Sequence, residues 1–88
     1  QTIMQDFNYD KVKEVVGQIK KYDSMFDEEY GENASELRNK IEEIEKLLQK
    51  RENPSKIKVL LTEIKNISLG VARSIIASGI VTAISSVI

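Results

Sequence analysis

Asn66-Ile-Ser-Leu-Gly-Val-Ala-Arg-Ser-Ile-Ile-Ala-Ser-Gly-Ile-Val-Thr-Ala-Ile-Ser-Ser-Val-Ile88 is the stretch on which the fold turns. It carries one charge, Arg73, and every other charged residue of the chain lies upstream. A helix that is apolar around most of its circumference cannot face water. This tail must therefore enter a core, a partner chain or a membrane. Ser74, Ser78, Thr82 and Ser85 or Ser86 recur every three or four residues as a stripe of small polar groups. Isoleucines and valines cover most of the remaining circumference.

Small residues let helix backbones approach closely, and a buried serine bonds its own helix's carbonyls. These properties suit a homo-oligomer core. On a monomer, such a tail would expose roughly several hundred Å² of apolar surface, more than soluble monomers usually tolerate. The expected interface is Val71, Arg73, Ile75, Ile76, Gly79, Ile80, Ile84 and Val87. Arg73 would pair with an acidic residue of another subunit or lay its stem along the apolar surface. A dimer is expected first and a tetramer second. Membrane insertion is the alternative, but only 15 uncharged residues follow Arg73, short of the roughly 20 a bilayer core requires. The tail also lacks a flanking aromatic belt and a lysine-rich stop. A hinge at Ser68-Leu69-Gly70 that folds the tail back on its own bundle is least favoured, because a small domain has little spare surface to offer.

Working upstream, Asn53-Pro54 is the strongest punctuation in the chain. Proline suits the first position of a helix and Asn53 suits its cap. From Pro54 the apolar positions Ile57, Leu60, Leu61, Ile64, Ile67 and Val71 keep helical spacing, with no further proline up to Ile88. A third helix over 54–88 is expected. Before it, Leu37, Ile41, Ile44 and Leu48 form a coiled-coil-like seam on a helix over 34–52. Asn33 would cap that helix, and Glu36 sits three residues on as in a capping box. Glu36 with Lys40 and Glu42 with Lys46 are favourably ordered i,i+4 pairs on its outer face.

The first helix is expected over 8–28, capped by Asn8, with Asp10 in its first turn. Its inward positions are Val12, Val15, Val16, Ile19, Tyr22 and Phe26, and Gly17 reads either as a tolerated surface glycine, the favoured alternative, or as the mark of a close helix crossing. The acidic run from Asp27 opposes the dipole at a helix end, and Gly31 supplies the turn. Short connections make consecutive helices antiparallel. At 1.5 Å per residue the three helices would measure about 30, 27 and 50 Å. The third would then overhang its partners by roughly a dozen residues, and the overhang is the apolar tail.

Composition excludes much chemistry. The chain has no cysteine and no histidine, which removes disulfides, thiolate nucleophiles, Cys/His zinc sites and imidazole bases together. A net charge of −1, with lysines interleaved among glutamates, offers no footprint for nucleic acid. Asp23, Asp27, Glu28, Glu29 and Glu32 do not match a calcium-loop spacing, so a solvated acidic turn is the better reading. The five aromatic residues lack a basic groove beside them and read as packing. Lys65 and Ser74 are too far apart to act as a serine–lysine pair. No catalytic, metal or cofactor residue is assigned. The first ten residues do not form a signal peptide. The chain opens on Gln1 without an initiator Met and is read as a fragment, with an upstream domain expected on the same polypeptide.

The run Glu52-Asn-Pro-Ser-Lys-Ile-Lys-Val-Leu-Leu-Thr-Glu-Ile-Lys-Asn66, followed by the Gly/Ala/Ser/Ile-rich end, resembles the C-terminal helical segment of bacterial AbiTii-type abortive-infection proteins, over residues 35–88. The resemblance implies a phage-defence context and an oligomerising or membrane-directed terminal module, and it carries over no catalytic residue. The expectation is an all-α, antiparallel three-helix domain whose long third helix assembles subunits. It would be a non-enzymatic interaction module in a cytoplasmic bacterial protein, with membrane association as the alternative.

Overall fold

The structure, a computed structural model, describes residues 7–71 and 74–88. It is all-helical over these residues: α1 (Tyr9–Lys20), α2 (Phe26–Tyr30), α3 (Ala34–Lys50), α4 (Pro54–Leu69) and α5 (Ile75–Ser85). The four longer helices close a ring in which α1 packs on α3, α3 on α4, α4 on α5 and α5 on α1. Ion pairs fix the directions. Arg51 meets Asp10 at 2.7 Å and Lys20 meets Glu45 at 2.8 Å, so α1 and α3 are antiparallel. Lys40 meets Glu63 at 2.9 Å between the antiparallel α3 and α4. Residues near the start of α1 and Lys58 share a cleft with Ser86 and Val87, so α5 runs antiparallel to both neighbours. Up-down-up-down order is the economical arrangement for short connections.

Several expectations are corrected. The long third helix is two helices, α4 and α5, and the tail folds back rather than overhanging. Ala77, Ile80 and Ile84 of α5 are at most 1% exposed and join the same core as Val12, Ile19, Leu37, Ile44 and Leu61. The expectation of an overhang rested on a small domain having little spare surface to cover the tail. Three helices leave the faces of α1 and α4 that point away from α3 open, and a fourth apolar helix closes them. Burying an isoleucine is worth about 1.5–3 kcal/mol, so folding back recovers within one chain what a partner was invoked to supply.

The helix expected over 8–28 also stops early, at Lys20, and α2 follows after a 3-10 turn at Asp23–Met25. Asp23 and Ser24 favour turns over helix interiors, and the change of direction is held from α3. Arg38 donates to the Asp23 carboxylate at 3.0 Å, the Asp27 carboxylate at 2.9 Å and the Asp23 carbonyl at 2.8 Å. Its guanidinium also lies 5.4 Å from the centre of the buried Phe26 ring. The acidic turn is thus closed by one arginine. Among the described residues no acidic cluster is arranged to hold a metal.

The caps divide. Asn8 accepts from the Lys11 amide at 2.9 Å, as its position implies. Asn33 and Asn53 occupy cap positions but their side chains make no cap bond, and the capping box with Glu36 does not form. At Asn33 a 3-10 turn over Gly31–Asn33 runs directly into α3, so the chain is already helical there. Gly31 turns the chain with φ +58°, a sign glycine adopts freely. The α3–α4 connection is a hard break. Arg51 and Asn53 are both left-handed, and the amides of Arg51 and Glu52 bond back to Leu48 and Leu47 in the Schellman pattern.

Candidate functional site

α4 and α5 meet at an elbow built from the last turn of one helix and the first of the other. Ser68 and Ser74 are the buried polar residues of the described core, and they lie on either side of this elbow. Two adjacent residues of α2 reach them. Tyr30 and Ser68 share a hydrogen bond of 2.6 Å between their hydroxyls. Ser74 Oγ donates to the Glu29 carboxylate at 2.6 Å and accepts the Ala77 amide at 3.0 Å, capping α5. Burial pushes the Tyr30 phenol above its ordinary value, and the Ser68 bond offsets only part of that rise. Tyr30 is a neutral hydroxyl at physiological pH and acts here as a strut.

Beside these struts lies a cleft of about 520 Å³ lined by Leu69, Val71, Ser74, Ile75, Ser78 and Val81, with Ser68 at its base. Among the described residues no charged side chain lines it. Ile75 is 87% exposed and Leu69 62% exposed, the two most exposed large hydrophobic residues of the described chain. They flank the cleft, and nothing among the described residues covers them.

The residues expected at an interface separate into three groups. Val71 and Ile75 converge on this cleft. Ile80 and Ile84 are in the chain's own core, while Ile76 and Val87 pack partly buried against it. Gly79 is exposed beside a different cleft, shared with Gln18 and Ile19 of α1 and with Lys21 and Tyr22, which follow that helix. Arg73 lies outside the described residues. Sequence reasoning missed Leu69 as a surface residue, although the hinge it weighed at Ser68-Leu69-Gly70 is adjacent to the observed bend. It had no means of finding Glu29 and Tyr30, which act across 45 and 38 positions of chain.

A groove of about 640 Å³ between α1 and α3 is different in kind. Lys13, Lys20, Lys46, Glu42 and Glu45 line it, so charges of both signs share one groove. Glu45 holds the Lys20 ammonium above its ordinary pKa. Gly17 opens onto this groove with no atom within 4 Å of an added Cβ, which fits a tolerated surface glycine. Phe26 and Tyr30 are buried edge to face at 5.8 Å and contribute packing.

No helix of the described residues is long and apolar enough to cross a membrane. No family model matches the chain, and comparison with curated proteins and with solved structures likewise finds no match.

Proposed function

We propose that the chain is a non-enzymatic helical interaction module that self-associates through the α4–α5 elbow. The observation that carries this reading is the pairing of an 87% exposed Ile75 with a cleft at its side that no charged side chain lines among the described residues. A projecting aliphatic side chain next to an apolar recess is self-complementary under a two-fold axis, because each copy supplies both knob and hole. The interface is smaller than the whole tail, since Ile80 and Ile84 serve the monomer's core. The partner is a second copy, as a dimer, and the phage-defence setting implied by the resemblance of residues 35–88 is the biological context proposed for it.

Light scattering coupled to size exclusion tests this on the full chain and on Ile75→Glu and Leu69→Glu. Dimers in the parent and monomers in both variants support it. Val59, 51% exposed on α4 and away from the cleft, is the control position: Val59→Glu should leave the dimer intact. A parent that stays monomeric at millimolar concentration defeats the reading.

A second reading, association with a lipid surface, is favoured by one feature: α5 has no charged residue. Its 11 residues span about 16 Å, half a bilayer core, so contact would be interfacial. Co-sedimentation with anionic and neutral vesicles separates the two readings.

A further inference from the structure

The up-down-up-down order gathers the start of α1, the end of α3, the start of α4 and the end of α5 at one end of the bundle, while α2 is tied to the other. The two ends carry opposite charge. At the α2 end the five carboxylates of residues 23–32 outnumber Lys20, Lys21 and Arg38. At the far end residues 50–58 hold Lys50, Arg51, Lys56 and Lys58 against Glu52 alone. Asp10 of α1 is bound to Arg51, and Lys11 adds a further cation beside Lys58. Lys50 and Lys58 form no ion pair with a described carboxylate.

Apolar groups are set among these cations. Phe7 and Tyr9 meet edge to face at 4.9 Å. The Arg51 guanidinium lies 5.7 Å from the centre of the Tyr9 ring, and the Lys58 ammonium 5.8 Å from that of Phe7. Val87 shares a cleft with Phe7, Lys11 and Lys58, and Ile88 after it is 46% exposed. Spacing along the chain does not show this, because the cations over the rings come from the α3–α4 junction and from α4.

We infer that this end of the bundle is a docking surface for an anionic lipid bilayer, which the molecule meets end-on. Cations interleaved with aromatic rings and an exposed aliphatic side chain match headgroup phosphates lying over an acyl layer. A nucleic-acid backbone would use the cations and leave Ile88 without a role. The net charge of −1 does not oppose the contact, because a surface potential decays within about 8 Å at physiological salt. The acidic end stands clear of it, at the other end of a molecule 45 Å long. Charge separated along that axis also turns the basic end toward a negative surface before contact. The inference does not depend on self-association, since the α4–α5 elbow lies at the α2 end and stays open when the basic end is docked.

Co-sedimentation of the full chain with two kinds of vesicle tests this: pure phosphatidylcholine, and an equal mixture of phosphatidylcholine and phosphatidylglycerol. Binding is expected to the mixed vesicles only, and should be lost in about 1 M salt, where the screening length falls to about 3 Å. Lys50→Gln with Lys58→Gln should weaken it about 25-fold, at about fivefold for each basic residue near an anionic surface. Lys21→Gln with Lys65→Gln removes the same charge toward the α2 end and should change binding less than about twofold. All four lysines lie outside the buried core, so the fold is retained in both double variants. Ile88→Ser should weaken vesicle binding several-fold, by removing the side chain that enters the acyl boundary. No sedimentation with either vesicle, equal sedimentation with both, or equal loss in the two double variants overturns the inference. Loss on Ile75→Glu with the Lys50 and Lys58 double variant unaffected overturns it too, and moves the contact to the elbow. Binding to duplex DNA in place of mixed vesicles, unchanged by Ile88→Ser, would make the basic end a polyanion site and overturn the assignment to lipid.

Discussion

Ser74 Oγ donates to Glu29 Oε1 at 2.6 Å, joining residues 45 positions apart, and the same oxygen accepts the Ala77 amide. One hydroxyl thus starts α5 and ties it to α2. Tyr30, the next residue of α2, ties Ser68 on the other side of the bend. A five-residue acidic helix therefore sets the angle at which the apolar end of the chain returns to the bundle.

Loss of this tie has a measurable cost. Ser74→Ala removes a cap and a hydrogen bond to a carboxylate, and should destabilise the chain by about 1–2 kcal/mol. Glu29→Gln keeps an acceptor and should cost less, about 1 kcal/mol or below. Urea unfolding of both singles and the double gives the coupling between the two residues. Strict additivity would mean that the bond contributes nothing in solution.

Tyr30→Phe leaves the buried Ser68 hydroxyl without its partner. The expected loss is about 1–2 kcal/mol, read by urea midpoint at neutral pH. Tyr30→Phe with Ser68→Ala should lie above the single Tyr30→Phe variant, because the stranded hydroxyl is gone.

Alkaline pH weakens the fold with a defined sign. Burial raises the Tyr30 phenol, and the hydrogen bond to Glu63 raises the Lys40 ammonium despite burial. Each holds its proton more tightly folded than unfolded, so stability they contribute is complete below about pH 10 and is lost as pH climbs through their folded values. Urea midpoints taken from about pH 9 upward should fall beyond about pH 10, and less steeply in Tyr30→Phe. A fall no smaller in that variant would remove Tyr30 from the explanation.

Truncations within the tail should divide by place in the bundle. Ile84→Ala, at 0% exposure, should cost about 2–5 kcal/mol, whereas Ile75→Ala should stay within about 0.5 kcal/mol. Ile80→Glu should unfold the chain outright, since it strands a charge in the core. A folded, merely monomeric Ile80→Glu would place α5 outside the core. Thermal unfolding by circular dichroism decides it.

Arg38→Lys should loosen α2 selectively. Lysine offers a point charge where the guanidinium bridges two carboxylates and a carbonyl and covers Phe26. Hydrogen exchange over residues 23–30 should quicken while α4 keeps its protection.

Periodicity and punctuation determined most of the helical content. Val12, Val15, Val16 and Ile19, then Leu37, Ile41 and Ile44, then Ile57, Leu60, Leu61 and Ile64 face inward as their spacing requires. Asn8 caps and Pro54 starts a helix for reasons local to a few residues. The absence of charge after Arg73 pointed to burial of the end of the chain, and one face of it, Ala77, Ile80 and Ile84, is buried while Ile75 and Ile88 are exposed. What covers that face belonged to the tertiary structure. Nothing in the pattern from Pro54 to Ile88 signals a helix break, and the bonds from Glu29 and Tyr30 of α2 to Ser74 and Ser68 are ones only the assembled bundle makes. Local sequence sets which face of a helix is apolar. Whether that face meets its own chain or another depends on which surfaces remain open once the other helices have packed.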